Sequence, residues 1–407
     1  MKKYLSSLCF FVFFLINTTI AQTKIIPGAE RMEVYIPMLK GKSVAVFANQ
    51  TSMVGKIHLV DILVKRGIKV VKIFGPEHGF RGDADAGEKI TNYIDKQTGI
   101  EVISLYGTHN KPTAEDLKGV DIMIFDIQEV GVRFYTFISS LEYFMDAAFE
   151  NSKPLLILDR PNPNGFYVDG PVLDTAFRSF VGRQPIPIVY GLTIGEYAMM
   201  ISGEKWLTEK ANKKQEYYMH AKNSADTPFH FLVIKCKNYD HNSKYILPIK
   251  PSPNLSEIQS VYWYPSTCFF EGTILSEGRG TPKPFEYFGH PSLPKTLFSF
   301  TPHSMDGAKD PKLKDKVCYG WNLSGTPQQV IKQLNNKVQL KWLMEAYRLF
   351  PDKEKFFLKG FNRLAGNDVL MQQIKEGRSE EEIRKSWEPA LSNYKALRKK
   401  YLLYKDF

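Results

Sequence analysis

Six stretches in the first half of the chain are continuous apolar runs, and each one ends in polar, glycine or proline residues. They lie at residues 43–50, 70–79, 101–107, 121–131, 155–163 and 186–191. Continuous apolar runs are typical of strands that are covered on both faces. The runs recur roughly every 30 residues, which is the length of a strand plus a crossover helix. This pattern constrains the fold most, and it predicts a doubly wound α/β domain with a mostly parallel sheet.

The segments between the runs have the apolar spacing of helices. Residues 57–67 and 136–152 carry apolar side chains at helical intervals. Residues 193–207 begin with Thr193, and Glu196 follows three positions later. This pair is the signature of a capping box, in which the two side chains satisfy free backbone N–H groups at the start of a helix. We therefore predict a helix in each of the three segments.

The α/β pattern ends near residue 245. The proline-rich stretch LPIKPSPNL follows at 247–255, and a long glycine- and proline-rich segment lies at 271–291. Two or three short strands and terminal helices are expected after it, including an amphipathic helix or helix pair within 380–404. We predict a larger domain over residues 22–245 and a smaller, auxiliary α+β domain over residues 246–407.

The first 21 residues are interpreted as a cleavable export signal. Lys2 and Lys3 form a positive start, a short apolar run follows, and Ala21 is a small residue suited to cleavage. The run is too short for a stable span, and no later segment has the roughly 20 apolar residues that a spanning helix needs. We expect a periplasmic or secreted protein without stable membrane insertion.

The net charge and the cysteine content further restrict the class of protein. The formal net charge is +11, and it falls by two when Lys2 and Lys3 leave with the signal. This excess is modest for a long chain, and we expect no nucleic acid partner. Three cysteines remain, too few for a disulfide scaffold, so an apolar core must hold the fold. The sequence leaves a single disulfide and the oligomeric state open.

Polar side chains collect just after the predicted strands. In an open parallel sheet, ligands bind beyond the carboxyl ends of the strands, so these side chains are expected along one edge. The candidates lie at or just after the ends of the runs: Asn49 in the first, Glu77 and His78 in the second and Arg81 after it, Asp126, Gln128 and Glu129 in the fourth, Arg133 and Tyr135 after it, and Arg160 and Asn162 in the fifth. We predict a ligand-binding cleft there.

The residue types at this edge restrict the kinds of ligand that the cleft could bind and the reactions that it could catalyse. The turn after the first run lacks the glycines of a dinucleotide site, and neither a P-loop nor a G-x-S-x-G nucleophile elbow is present. The histidines show no zinc-ligand spacing, so we predict no metal and no cofactor. Paired carboxylates with amides and aromatics fit glycoside hydrolysis, in which one carboxyl group protonates the leaving oxygen.

Seven motifs, in chain order, resemble the exo-β-N-acetylmuramidase (NamZ-like) family. They are GPEHGFRGDADAGE, DIQEVGVRFYTF, DRPNPNG, VDGPVLD, PIVYGLTIGEYA, PSPNL and EGTILSEGRGTPKPFE. The resemblance runs from about residue 30 to the final YLLY. It implies an exported hydrolase that removes N-acetylmuramic acid from the non-reducing ends of peptidoglycan fragments. It also implies a Rossmann-like catalytic domain, a smaller second domain and an active cleft between them. A non-catalytic peptidoglycan-binding protein, an amidase and a sugar esterase remain alternatives to the implied activity.

The resemblance also suggests catalytic roles. Glu77 matches the glutamate of the family's GPEHG motif and is the first choice for the general acid/base. His78 is expected to tune the protonation of Glu77, to contact the sugar or to make a structural hydrogen bond. Asp126 and Glu129 are candidates for the second carboxylate, although the family often has Asp where this chain has Glu129. Retention or inversion of the anomeric configuration stays open, because it depends on the distance between the carboxylates.

Two groups of residues are predicted to bind the substrate. Four arginines are expected to hold the lactyl carboxylate of muramic acid, because guanidinium pairs with carboxylate in a bidentate fork. They are Arg81, Arg133, Arg160 and Arg279. Contacts to sugar hydroxyl and acetamido groups are expected from Asn49, Gln128, Tyr135, Asn162, Asn254 and Glu277. The segment SEGRG at 276–280 belongs to the second domain and is expected to close the cleft from the other side.

Overall fold

The computed structural model describes residues 23–82, 91–220 and 230–407. The predicted export signal at 1–21 lies outside these residues, as does most of the GDADAGE part of the first family motif. The strands and helices below are numbered along the chain.

Seven strands form the main sheet. They are β1 (Ser43–Ala48), β4 (Lys69–Gly75), β5 (Tyr93–Ile94), β6 (Glu101–Ser104), β7 (Ile122–Asp126), β8 (Leu155–Leu158) and β9 (Phe231–Ile234). Their order is β5-β6-β4-β1-β7-β8-β9, and every neighbouring pair is parallel except β5 with β6. The chain winds outward from β1 in both directions, which confirms the predicted doubly wound sheet. The short strands β2 (Met53–Val54) and β3 (Ile57–His58) form a separate antiparallel pair.

Helices cover both faces of this sheet. They are α1 (Met32–Leu39), α2 (Leu59–Lys65), α3 (Phe137–Glu150), α4 (Ile194–Gly203) and α5 (Glu209–His220). The three predicted helices are confirmed as α2, α3 and α4. Thr193 caps α4 as predicted: its hydroxyl accepts a hydrogen bond from the Glu196 N–H, and the Glu196 carboxylate accepts one from the Thr193 N–H.

The central strand β1 explains why its sequence is apolar throughout. All six of its residues are buried, and successive side chains enter different core clusters. Val46 packs on the side of α1 and α2, whereas Phe47 packs on the side of α3. The Phe47 ring lies 5.0 Å from the ring of Phe125 on β7 and 5.2 Å from the ring of Phe144 on α3. A strand covered on both faces has no polar face to alternate with.

The prediction of a sixth strand at 186–191 is wrong. The segment is buried, but it makes only isolated bridges, from Val189 to Val132 and to Asp169. The place beside β8 is taken by β9, which was not predicted. A short apolar run does not distinguish a sheet strand from a buried connecting segment, because both must exclude water.

The second domain is of the predicted α+β type. Its first helix is α6 (Ile258–Thr267), and it contains an antiparallel sheet of β10 (Tyr287–His290), β12 (Cys318–Asn322) and β11 (Phe298–Phe300). Six further helices follow: α7 (Pro327–Leu334), α8 (Lys341–Leu349), α9 (Lys353–Phe356), α10 (Phe361–Ala365), α11 (Val369–Lys375) and α12 (Glu380–Arg398). None of the helices in the described part of the chain combines the length and apolar character that a membrane span requires.

The two domains share one apolar core, which contains buried residues from both. The C-terminal helix α12 also returns to the first domain. The Tyr394 hydroxyl donates to the Tyr190 carbonyl over 2.7 Å, and Arg398 Nε donates to the Gly191 carbonyl over 2.7 Å. Cys236, Cys268 and Cys318 are buried free thiols, so packing rather than a disulfide among them holds this part of the structure.

Candidate active site

A cleft of about 260 Å³ lies where the two domains meet. The α/β domain contributes residues that follow its strand ends, and the α+β domain contributes residues from α6 and the loops after it. The lining residues are Glu77, His78, Tyr106, Phe134, Tyr135, Thr136, Phe137, Phe180, Val181, Ser252, Leu255, Tyr264, Glu271, Arg279 and Phe285.

The turn after β4 places Glu77 in this cleft. The strand ends at Gly75, and Pro76, which has no N–H to continue a ladder, follows. The Gly79 N–H donates to the Pro76 carbonyl over 3.0 Å and closes the turn. His78 adopts a left-handed conformation with φ of 68° within this turn. The side chain of Glu77 therefore leaves the sheet edge instead of joining the core.

Tyr106 holds one oxygen of Glu77. Its hydroxyl donates to Glu77 Oε1 over 2.9 Å, and both side chains line the cleft. Burial, together with the charge of Glu77, holds the pKa of Tyr106 above its ordinary value. The tyrosine thus keeps its proton and remains a hydrogen-bond donor to the carboxylate.

His78 connects the turn to the segment that joins the two domains. Its side chain is buried, and its Nε2 atom lies 3.5 Å from the hydroxyl oxygen of Ser252. A non-glycine residue in the left-handed region costs roughly 1–2 kcal/mol. Such strain persists only where the surrounding structure compensates for it, and it often marks functional positions.

The α+β domain contributes an ion pair to the cleft. Glu271 lies in the 3₁₀ helix Cys268–Gly272, which continues directly from α6. Arg279 Nη2 donates to Glu271 Oε1 over 2.5 Å, and Arg279 Nε lies 3.3 Å from Glu277 Oε1. Burial lowers the pKa of Arg279, but the two carboxylates outweigh this effect and raise it above its ordinary value.

Aromatic rings form much of the remaining wall. Tyr264 makes edge-to-face contacts with Phe134, at 5.4 Å between ring centroids, and with Phe285, at 4.8 Å. The Tyr135 hydroxyl donates to the Pro251 carbonyl over 2.7 Å, which orients its ring. Apolar walls with a few convergent polar groups are typical of small-molecule sites, and the C–H faces of a sugar ring suit such walls.

Four predicted site residues line the cleft: Glu77, His78, Tyr135 and Arg279. The other ten are not among its lining residues. Their contacts show what each of them does instead.

Asp126 and Arg160 form a buried ion pair with each other. Arg160 Nε donates to Asp126 Oδ1 over 2.6 Å, and Arg160 Nη2 donates to Asp126 Oδ2 over 2.8 Å. Arg160 Nη2 also donates to the Met53 carbonyl over 3.1 Å. The pair joins the ends of β7 and β8 within the α/β domain.

Glu129 anchors the loop after β7. Its Oε2 atom accepts hydrogen bonds from the N–H groups of Val130 and Gly131, each over 3.0 Å, and from the Tyr190 hydroxyl over 2.9 Å. The carboxyl group is fully buried, and burial raises its pKa to about 8.

The two remaining predicted arginines are also engaged inside the protein. Arg81 forms ion pairs with Asp61 and Asp95, each at 2.9 Å. Arg133 is fully buried and donates only to backbone carbonyls, two from each domain, those of residues 171, 186, 364 and 365. Burial lowers the pKa of Arg133 to about 9. Arg133 therefore links the two domains through hydrogen bonds to the backbone of each.

The predicted amide contacts are made to protein groups. Asn49, Gln128, Asn162 and Asn254 each hydrogen-bond backbone groups in their own or nearby loops. Glu277 is buried and pairs with Arg279 and with Lys312, whose Nζ atom lies 2.7 Å from Glu277 Oε2.

Glu271, Tyr106, Thr136, Ser252 and Tyr264 line the cleft but were not predicted from the sequence. A signal for Glu271 was available, because it begins the motif EGTILSEGRG on which the family resemblance partly rested. The signal for Tyr106 was weaker: it lies at the end of the third apolar run, just as Glu77 lies at the end of the second.

The fold and the cleft define a two-domain α/β protein with carboxylates in a pocket of sugar size. Residues 44–259 match the model for the N-terminal domain of exo-beta-N-acetylmuramidase NamZ, and residues 262–404 match the model for its C-terminal domain. The chain therefore belongs to the exo-β-N-acetylmuramidase NamZ family.

Similar proteins cover nearly the whole chain. Peptidoglycan beta-N-acetylmuramidase NamZ from Bacillus subtilis (strain 168) is 37% identical over 405 residues, which cover 95% of this chain and 93% of that protein. Two crystal structures of DUF1343 family proteins from Bacteroides fragilis NCTC 9343 have the same fold. One has a TM-score of 0.83 at 43% identity and covers 95% of this chain and 100% of its own. The other has a TM-score of 0.73 at 28% identity and covers 94% of this chain and 99% of its own.

Proposed function

We propose that this protein is an exo-acting glycoside hydrolase that releases N-acetylmuramic acid from the non-reducing ends of peptidoglycan fragments. The observation that carries the proposal is the position of Glu77, held by Tyr106 in the cleft between the domains of a chain of this family. The B. subtilis relative is named a peptidoglycan β-N-acetylmuramidase, and its similarity spans both domains.

The size of the cleft supports exo action. Its volume is about 260 Å³, slightly below the roughly 300–1,000 Å³ of pockets for drug-sized ligands. Such a cleft suits one sugar ring at the end of a glycan better than a long stretch of chain. The family model that residues 44–259 match is named for an exo-β-N-acetylmuramidase.

Glu77 is proposed to protonate the leaving group. Its carboxyl group gives a proton to the glycosidic oxygen as the bond from that oxygen to C1 of the muramic acid breaks. The bonding pair leaves with the oxygen, and positive charge develops at C1 and the ring oxygen. The hydrogen bond from the Tyr106 hydroxyl to Glu77 Oε1 orients the carboxyl group within the cleft.

The decisive experiment is the product formed from a disaccharide with N-acetylmuramic acid at its non-reducing end. Release of both free sugars supports the proposal, and the disaccharide with the opposite order should stay intact. Release of peptide or acetate from a muropeptide would instead indicate an amidase or an esterase, and binding without cleavage would indicate a binding protein. Dialysis against a strong chelator should leave turnover unchanged, whereas a loss that only zinc restores would favour the amidase.

We also propose that the protein acts outside the cytoplasm after removal of residues 1–21, with residues 22–245 as the catalytic domain and 246–407 as the domain that closes the cleft. The positive start and the short apolar run support export. Mass spectrometry of the exported protein should give an N-terminus near Gln22. An intact Met1 on protein retained in the cytoplasm would contradict this.

A further inference from the structure

We infer that Glu271 is the second catalytic carboxylate of the cleft and that Arg279 positions it. The inference rests on the proposed glycosidase activity and assigns a partner to Glu77. Within residues 23–82, 91–220 and 230–407, Glu77 and Glu271 are the two carboxylates that line the cleft. Glu77 comes from the α/β domain and Glu271 from the α+β domain, so a sugar bound between the domains would lie within reach of both.

The carboxylates expected from the sequence do not occupy this position. Asp126 forms a buried ion pair with Arg160, and Glu129 accepts hydrogen bonds from its own loop. Glu277 is buried and lies against Arg279. The exposed fraction of the side chain distinguishes Glu277 from Glu271. The Glu277 side chain is 3% exposed, whereas the Glu271 side chain is 29% exposed and can touch a ligand.

The charges around Glu271 form a chain that leads away from the cleft. Arg279 binds Glu271 through Nη2 and approaches Glu277 through Nε. Lys312 pairs with Glu277 and donates to the carbonyls of Phe270, Thr273 and Leu275. Glu277 and Lys312 thereby fix Arg279, and Arg279 fixes one oxygen of Glu271. The Glu271 side chain lines the cleft, so this anchoring suits a group that must meet a reacting carbon at a set position.

The role of Glu271 follows from the charge that develops during the reaction. As the bond from C1 to the leaving oxygen breaks, C1 and the ring oxygen become positive, and the Glu271 carboxylate stabilises that charge. Water then completes the hydrolysis. Its oxygen bonds to C1, one proton stays in the new hydroxyl group, and the other passes to a carboxylate of the pair, which balances the proton that Glu77 gave up.

Two substrates distinguish Glu271 from Glu77. Glu77 serves the leaving group, so its loss should matter less with an activated aryl glycoside of N-acetylmuramic acid than with the disaccharide. Glu271 stabilises the positive charge at C1, which develops with either substrate. Glu271→Gln should therefore lower turnover of both substrates by at least about a hundredfold. Glu257→Gln is the matched control, because it breaks an ion pair with Lys283 that lies outside the cleft. This control should keep wild-type turnover.

Rescue by a small anion tests the role directly. In Glu271→Ala, sodium azide should restore turnover of the aryl glycoside at least tenfold, whereas wild type and Glu257→Gln should not respond. The anion would occupy the vacated space beside C1 and supply the missing negative charge. A purely structural role for Glu271 would give no rescue.

Arg279→Lys keeps a positive charge but loses the planar fork. It should lower turnover of both substrates, and the double variant with Glu271→Gln should be no slower than Glu271→Gln alone, because the arginine acts through that glutamate. The inference is overturned if folded Glu271→Gln cleaves both substrates at the wild-type rate. It is also overturned if its loss, like that of Glu77→Gln, is confined to the disaccharide. The proposed function fails separately, if wild type does not cleave the disaccharide.

Discussion

Tyr106 and Glu77 meet at the edge of the main sheet, where the tyrosine hydroxyl donates a 2.9 Å hydrogen bond to Glu77 Oε1. The two residues follow neighbouring parallel strands, β6 and β4, whose carboxyl ends lie side by side. The sheet thus brings together a carboxylate and its donor from two separate turns. This contact fixes the orientation of the group that we propose as the catalytic acid.

Tyr106→Phe should lower kcat without unfolding the protein. A hydrogen bond to a charged group contributes roughly 1.5–3 kcal/mol, so the loss should lie between about tenfold and a hundredfold. Steady-state kinetics on the disaccharide measures it, and circular dichroism checks the fold. Wild-type kcat in the folded variant would show that the contact does not orient Glu77 during the reaction.

Glu77→Gln should lower turnover of the disaccharide by at least about a hundredfold, because general acid catalysis typically contributes 10²–10⁴-fold. The loss should be smaller on an activated aryl glycoside, whose leaving group needs less protonation. Glutamine has nearly the same volume, so the thermal unfolding midpoint should hardly change. If the folded variant cleaves the disaccharide at the wild-type rate, Glu77 has a structural role only.

His78→Gly should be more stable than His78→Ala. Both variants lose the imidazole ring, but only glycine adopts φ of 68° without strain, so the difference should be about 1 kcal/mol in favour of glycine. Urea unfolding of the two variants measures it. The same pair of substitutions at His303, which is not among the positive-φ residues, should show the opposite order. Equal stabilities at residue 78 would argue against stored strain there.

Asp126→Asn should destabilise the protein by about 3–5 kcal/mol, because it leaves the Arg160 guanidinium buried without its counter-charge. The free energy of unfolding in urea gives the value. The variant that remains folded should keep most of its turnover, since neither residue lines the cleft. A large loss of kcat with unchanged stability would place Asp126 in the catalytic machinery instead.

Glu129→Gln should change how stability depends on pH. Burial raises the pKa of Glu129 from its ordinary 4.5 to about 8, so between these values the folded state holds a proton that the unfolded state has lost. This group therefore reduces the stability of the wild type by about 1.4 kcal/mol for each pH unit as the pH rises through that window.

Glutamine does not ionise, so the free energy of unfolding of the variant, relative to that of the wild type, should increase steadily between pH 5 and pH 8. Urea unfolding of both proteins at each pH measures the difference. Other buried acids, such as Asp159 with its pKa of about 7, titrate in both proteins and cancel in the comparison. A difference that stays constant with pH would show that Glu129 is ionised throughout.

The apolar runs by themselves determined most of the sheet. Of the five runs that became strands of the main sheet, β1, β7 and β8 are buried throughout, and β4 and β6 are buried over most of their length. The apolar residues of each run encode this burial locally. Capping is equally local, which is why Thr193 and Glu196 marked the start of α4 correctly. The segment at 186–191 shows the limit, since burial without strand pairing leaves the same local pattern.

The site was only partly determined in this way. The sequence alone placed Glu77 and His78 at a strand end that faces the cleft, because the turn after β4 is built from neighbouring residues. The tertiary structure decided which other polar groups reach the cleft. Asp126 and Arg160 end adjacent strands and neutralise each other, whereas Glu271 and Arg279 arrive from the other domain. Partners distant in the chain set these outcomes, because a buried charge must be paired and only the folded chain determines which partner lies nearby.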